Sequence, residues 1–286
     1  MRLTAPSLLG LLLLAGACES PSGSEPTATT THALLRVERS ARVGAESEAT
    51  GTAFAGVVRV PELADPEPLL RLSGKGPTLP APGQCMTPNH ERDTVLAGDL
   101  GRAEFLDAGD VLLGTSNAQT LLAPRAFPST PTELSGVVYT SRDQASQPLP
   151  GGAAYLLKTS GSDQLPGLEL RVIAPEELRE VTVAGATLEA LANLNGASEV
   201  SVGWRAGDTR DLVYVEVAGS PETGSLGVCA FRDSDGRGTL PRGLFGASGA
   251  GSLAFHRLRE VAADVPTLDG AEVRFDFALT AEVSFR

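Results

Sequence analysis

Three cysteines, three histidines and a few paired carboxylates are the side chains of this 286-residue chain whose types and spacing could do chemistry. With Cys18 set apart, Cys85 and Cys229 form an even pair. In an oxidising compartment they are either joined across much of the chain or remain two thiols, with Cys229 buried as a small hydrophobe. A thiol nucleophile needs a base, and His90 follows Cys85 closely, but proximity in a Pro-rich loop does not make a catalytic pair. His32, His90 and His256 are too few and too scattered for a three-His zinc site, and no H-E-x-x-H occurs. Gly246-Ala247-Ser248-Gly249-Ala250 approaches a hydrolase nucleophile elbow, with Ala at the last glycine position and a β-rich, small-residue context. Asp233-Ser234-Asp235-Gly236 and Asp107-Ala108-Gly109-Asp110 each set two carboxylates near a glycine, oxygen chemistry that calcium favours. Both lack the further donors of an EF-hand loop, and Asp with Gly is also what a tight turn requires. We read them as turns, and expect no catalytic residue, no metal and no cofactor.

The N-terminus carries the sharpest pattern. Met1-Arg2 is a short basic start, and the apolar run Ser7 to Ala17 is too short to span a bilayer. It closes on Ala15-Gly16-Ala17-Cys18, which resembles the lipobox of bacterial lipoproteins, departing from it at Ala15, where Leu is commoner. The resemblance implies a signal peptide at 1–17 and cleavage before Cys18. It also implies a diacylglycerol on the Cys18 sulfur and an acyl chain on the new amine. Several chains anchor where a single one does not. Glu19 after the cysteine, rather than Asp, implies the outer membrane. A plain secretory peptide is the alternative. Residues 19–32 (ESPSGSEPTATTTH) lack large apolar side chains, so 18–32 reads as a lipidated Cys and disordered tether.

Composition narrows the partners. Basic side chains number 23 against 35 acidic ones, a net charge of −12, which disfavours nucleic acid and anionic headgroups. One Trp and 5% aromatics leave little for a stacking platform.

The elements that must position these residues are strands. Short alternating runs broken by Gly, Pro, Asp and Ser recur at Val57–Val60, Val111–Leu113, Gly136–Thr140, Tyr155–Leu157 and Leu168–Ile173. Val200, Val202 and Trp204 share a face, and Leu212 to Val217 is expected to pair back on them as a hairpin. Leu226 to Phe231 and Gly251 to Leu258 follow, and from Val273 to Phe285 every second residue is apolar. Pro175–Val181 and Pro241–Phe245 could form a helical turn or two, and Thr187–Leu194 is ambiguous. The expected fold is all-β, as one or two antiparallel Ig-like β-sandwich domains. An N-terminal β-rich domain would span 33–180 and a C-terminal sandwich 187–286. A single larger sandwich and a boundary near 130 remain open.

The order Ser201-Val202-Gly203-Trp204, Tyr214-Val215, Cys229, Asp233, Gly236 and Pro241 resembles modules of secreted lipoproteins in GC-rich diderm bacteria, which carry no known activity. That resemblance implies an Ig-like sandwich. The expectation is a non-enzymatic envelope lipoprotein that binds, adheres or supports structure, held to the membrane by its lipid and meeting an unidentified protein partner. A secreted hydrolase with a site of scattered acidic residues is the alternative.

Overall fold

The computed structural model describes residues 28–62, 64–72, 76, 78–87, 103–127, 135–141, 149–220, 225–245 and 248–286. In chain order the strands begin with β1 (Thr29–Arg42) and β2 (Thr50–Pro61), then a short helix α1 (Glu67–Leu72). There follow β3 (Cys85–Met86), β4 (Glu104–Phe105), β5 (Val111–Gly114), β6 (Gln119–Phe127), β7 (Ser135–Thr140), β8 (Ala154–Thr159) and β9 (Glu169–Ile173). The later part holds β10 (Thr182–Val183), β11 (Ala186–Thr187), β12 (Asn193–Leu194), β13 (Val200–Gly203), β14 (Leu212–Ala218) and β15 (Ser225–Arg232). The chain then forms β16 (Arg237–Leu240), β17 (Gly249–Ala263) and β18 (Gly270–Phe285). The fold is all-β.

Thirteen of these strands run in the order β3-β15-β14-β17-β18-β1-β2-β4-β7-β6-β5-β8-β9, and β12 adds to β18 off that path. A second sheet, β11-β10-β13-β16, stands alone. Valines on the facing sides of β13 and β14 (Val200 and Val202; Val213, Val215 and Val217) close one core with Phe231, Leu253, Phe255 and Phe285. A second core gathers Leu35, Val37, Val57, Val111, Leu157, Val172, Val273, Phe275 and Phe277. Alternation in β18 serves both: Val273, Phe275 and Phe277 enter one, and Ala281, Val283 and Phe285 the other. Strand-centred burial of this kind follows from the two-residue period, which sends every second side chain to the same face.

Two expectations need correcting. The hairpin of β13 with β14 does not form: β13 pairs with β10 and β16, β14 with β15 and β17. Their valine faces meet across the core instead of side by side, which buries both rather than one. The pairing is largely antiparallel, as expected, with parallel neighbours at β1–β18, β12–β18 and β4–β7. The stretch assigned to the tether ends early, since β1 begins at Thr29 and takes in His32. Threonine suits a strand once a partner is available, and Thr29 to Thr31 pair with Arg59 to Pro61. The Thr31 amide also donates to Asp269 (2.7 Å). Helix content differs as well. Arg242–Leu244 and Leu188–Ala190 are single 3-10 turns, 175–179 has no helix, and α1 was not anticipated. Among the described residues no helix is long and apolar enough to cross a membrane. Cys18, the signal peptide, residues 19–27 and His90 lie outside the described residues.

Candidate functional site

Two polar assemblies sit on opposite faces of β17. On its inward face, Phe255 and Val261 bracket Arg257 and Arg259, both buried and between the two cores. Arg259 grips Asp211 through two oxygens (2.6 and 2.8 Å) and donates to the carbonyls of Ile173 and Ala174. Arg257 donates to Asp233 (2.8 Å) and to the carbonyls of Glu176, Glu177 and Arg205. Two guanidinium groups thus satisfy the backbone that leads from one core to the other, and each carries a carboxylate partner, as buried charges require. Asp233 is fully buried and its Oδ2 has no hydrogen bond. Burial pushes its carboxyl above the ordinary range against the pull of Arg257. A side chain at Gly207 would run into that Oδ2, so the approach of this loop requires glycine.

The Asp233–Asp235 segment, weighed above as an oxygen cluster, is a 3-10 turn closed by Gly236 at φ 61°. Its first carboxylate is taken by Arg257. Trp204 donates its indole N–H to the Asp233 carbonyl and its backbone N–H to that of Gly236, so residues of the second resemblance meet at this turn. Asp107–Asp110 is likewise a turn, in which Asp107 accepts from Tyr139 (2.6 Å) and from the Gly109 amide. Among the described residues no group of three His, Cys, Asp or Glu side chains is placed to hold a metal ion.

The outward face of the same strands carries His256, Asp276, Tyr214 and Arg274. His256 Nδ1 donates to Asp276 Oδ1 (2.8 Å), the Tyr214 hydroxyl donates to Oδ2 (2.5 Å), and the Tyr and His rings stack 4.2 Å apart. Arg274 joins Glu260 (2.5 Å) and lies 3.9 Å from Asp276. Burial raises the Asp276 carboxyl, but the hydrogen bonds from His256 and Tyr214 and the Arg274 charge outweigh it, so it titrates below its usual range. Burial first, then the Asp276 charge, drives the Tyr214 phenol far above its ordinary value.

As chemistry this is a carboxylate that orients an imidazole. His256 Nε2 is buried and hydrogen-bonds nothing. Ser248 stands eight residues back on the same chain, about 25 Å away at strand rise. An open cleft of about 400 Å³ nearby is lined by His32, Leu70, Glu260 and Glu272, with Glu260 already engaged by Arg274.

Residues 78–87 reach the edge of this outward cluster at Tyr214. Leu79 packs with Tyr214, Ala230 and Leu258, and Gly76 sits against the Arg274 guanidinium. Cys85 and Cys229 are joined in a disulfide, directly opposite one another on β3 and β15 with Cα atoms 4.0 Å apart. The Ala230 amide donates to the Gln84 carbonyl, which leaves 85 and 229 as the close, non-bonded pair of an antiparallel ladder. Across 144 residues of sequence, the chain-entropy value of such a bond is roughly 5 kcal/mol.

The inward arginines are what sequence reasoning missed. Their signal was present: Arg257 and Arg259 fall in phase with Leu253, Phe255 and Val261, and a charge on the core-facing phase of a strand marks a buried ion pair.

No family model matches the chain, and no curated protein does. A solved structure with some likeness is the Fcho1 Mu homology domain of Danio rerio with a bound Eps15 peptide. It overlaps 90% of this chain and 97% of its own at 13% identity, with a TM-score of 0.28. Likeness of that size assigns neither topology nor ligand here.

Proposed function

We propose that this chain is a lipid-anchored lipoprotein of the bacterial envelope, at the outer membrane, whose sandwich body is displayed as a non-enzymatic module for binding, adhesion or support. The observation that carries the reading is the Cys85–Cys229 disulfide, because such bonds persist in the oxidising compartments to which a lipobox would send the chain. The start of β1 adds to it. Only residues 19–28 separate Cys18 from Thr29, a reach of at most about 35 Å. The body would therefore sit close to its membrane, with the Thr29 end inward. β1 rises along its fourteen residues for roughly 45 Å, so the turn after Arg42 and the β13–β16 core would face away from the lipid.

The test is Cys18→Ser in the native host, followed by fractionation. The expected result is loss of the mature protein from the membrane fraction or build-up of an uncut precursor. A mature-sized C18S protein that still sediments with membranes overturns the anchor. Protease shaving of intact cells, with a periplasmic control, then tells surface display from a periplasmic position.

A further inference from the structure

We propose that this chain forms a two-fold dimer in which β9 pairs antiparallel with β9 of a second copy, joining two large sheets at their ends. Nothing in this arrangement depends on the lipid anchor.

β9 ends the path of the large sheet, and among the described residues no strand pairs with its far side. Which backbone groups point there follows from its register with β8. The Thr159 amide donates to the Leu168 carbonyl and the Ala174 amide to the Ala153 carbonyl (both 2.9 Å), so the even-numbered residues bond to β8. In an antiparallel ladder the odd-numbered ones then turn their N–H and C=O groups outward. Arg259 already uses one of these groups, the carbonyl of Ile173 (3.0 Å). Glu169 and Arg171 are placed to carry a new ladder.

Charges on an edge strand ordinarily keep other strands away. Here they are of opposite sign and two residues apart. Both side chains are exposed (49% for Glu169, 75% for Arg171), and their contact within the strand is loose at 3.5 Å. A two-fold axis through Leu170 sets Glu169 of each copy directly against Arg171 of the other. The pattern that discourages an unrelated strand therefore attracts its own copy. The same axis brings the outward N–H and C=O groups of both Glu169–Arg171 pairs into hydrogen-bonding register. On the opposite face Leu170 meets Leu170 of the second copy in the close, non-bonded position. Leu168 and Leu170 are only half-buried against the second core, and a neighbouring strand covers them. Ile173, at 60% the most exposed large apolar side chain described, falls opposite Gly167 of the second copy, where no side chain competes for the space. Such an interface uses the same patch on both copies and closes at two.

The experiment is the sedimentation-equilibrium mass of the purified protein over a concentration series, in density-matched detergent so that acyl chains bring no micelle mass. The wild type should become dimeric as concentration rises. Glu169→Arg alone and Arg171→Glu alone each place like charges opposite one another in both pairs. Each should raise the dissociation constant about tenfold or more, with unchanged circular dichroism because both positions are exposed. An equimolar mixture of the two variants should regain the wild-type affinity, since the arginines of one copy then face the glutamates of the other. A wild type that stays monomeric overturns the proposal. So does a dimer that the reversals leave intact, or one that the mixture fails to restore.

Discussion

All three tyrosines of the chain hold their phenol protons where water has poor access. Burial and the hydrogen bond to Asp107 push Tyr139 up to about 12, and burial raises Tyr155 and Tyr214 further. An unfolded tyrosine ionises near 10, so above that pH the unfolded chain sheds protons that the folded chain keeps. Stability from these groups is complete below pH 10 and drains away as pH climbs through 12. A phenolate absorbance titration should show almost no ionisation in the folded protein at pH 10–11. The three phenols should then ionise together, in step with loss of the circular dichroism signal. Independent ionisation of one tyrosine near 10, in a protein still folded, would show that its site is wet. Asp276 acts in the opposite direction. Its carboxyl lies below the ordinary range, so its contribution is present above pH 4 and is lost as pH falls through its lowered value.

At the scale of the element, β17 carries a charge layer where an all-apolar strand would have been simpler. Arg257→Met removes the partner of a fully buried Asp233, which should cost about 3–5 kcal/mol in denaturant unfolding. Because a lone buried carboxyl prefers to be protonated, the deficit should shrink toward acid pH. Adding Asp233→Asn should recover part of it. A deficit under about 1 kcal/mol would mean that water reaches the layer. Elements of this kind were only partly legible beforehand. The alternation of β18 and β9 exposes their buried faces directly, because every second residue is apolar. The pairing of β13 is not local in that sense: alternation says which face is buried and nothing about which strand lies beside it, so a hairpin and a cross-core packing look alike. Thr29 to Thr31 read as linker by composition and became strand because β2 offered an edge. The inward arginines were hidden by their charge, which pattern reading assigns to solvent. Of the outward site, His256 was visible as a residue, but its partners Asp276 and Tyr214 lie on two other strands, at sequence distances that no motif spans.

For the whole molecule, the two cores stack along β1 and β18, and the chain enters at one end. A lipid at Cys18 would set that end against the headgroups, beside Glu62, Asp65, Glu67 and Asp269, whose negative charge opposes contact with an anionic surface. In lipidated protein on vesicles, a cysteine introduced at Glu46 should react with a polymer-bearing maleimide faster than one at Asp65, relative to the same variants without lipid. Equal ratios would mean that the body has no preferred stance. The position of β18 has a further consequence, for the order of events in synthesis. β1 is made well before its parallel neighbour, which lies 238 residues further along, His32 beside Gly270. Neither core can close until that late strand arrives, since both draw on it. Such long-range pairing folds slowly. A nascent chain of this design holds both large cores incomplete until β18 has been made.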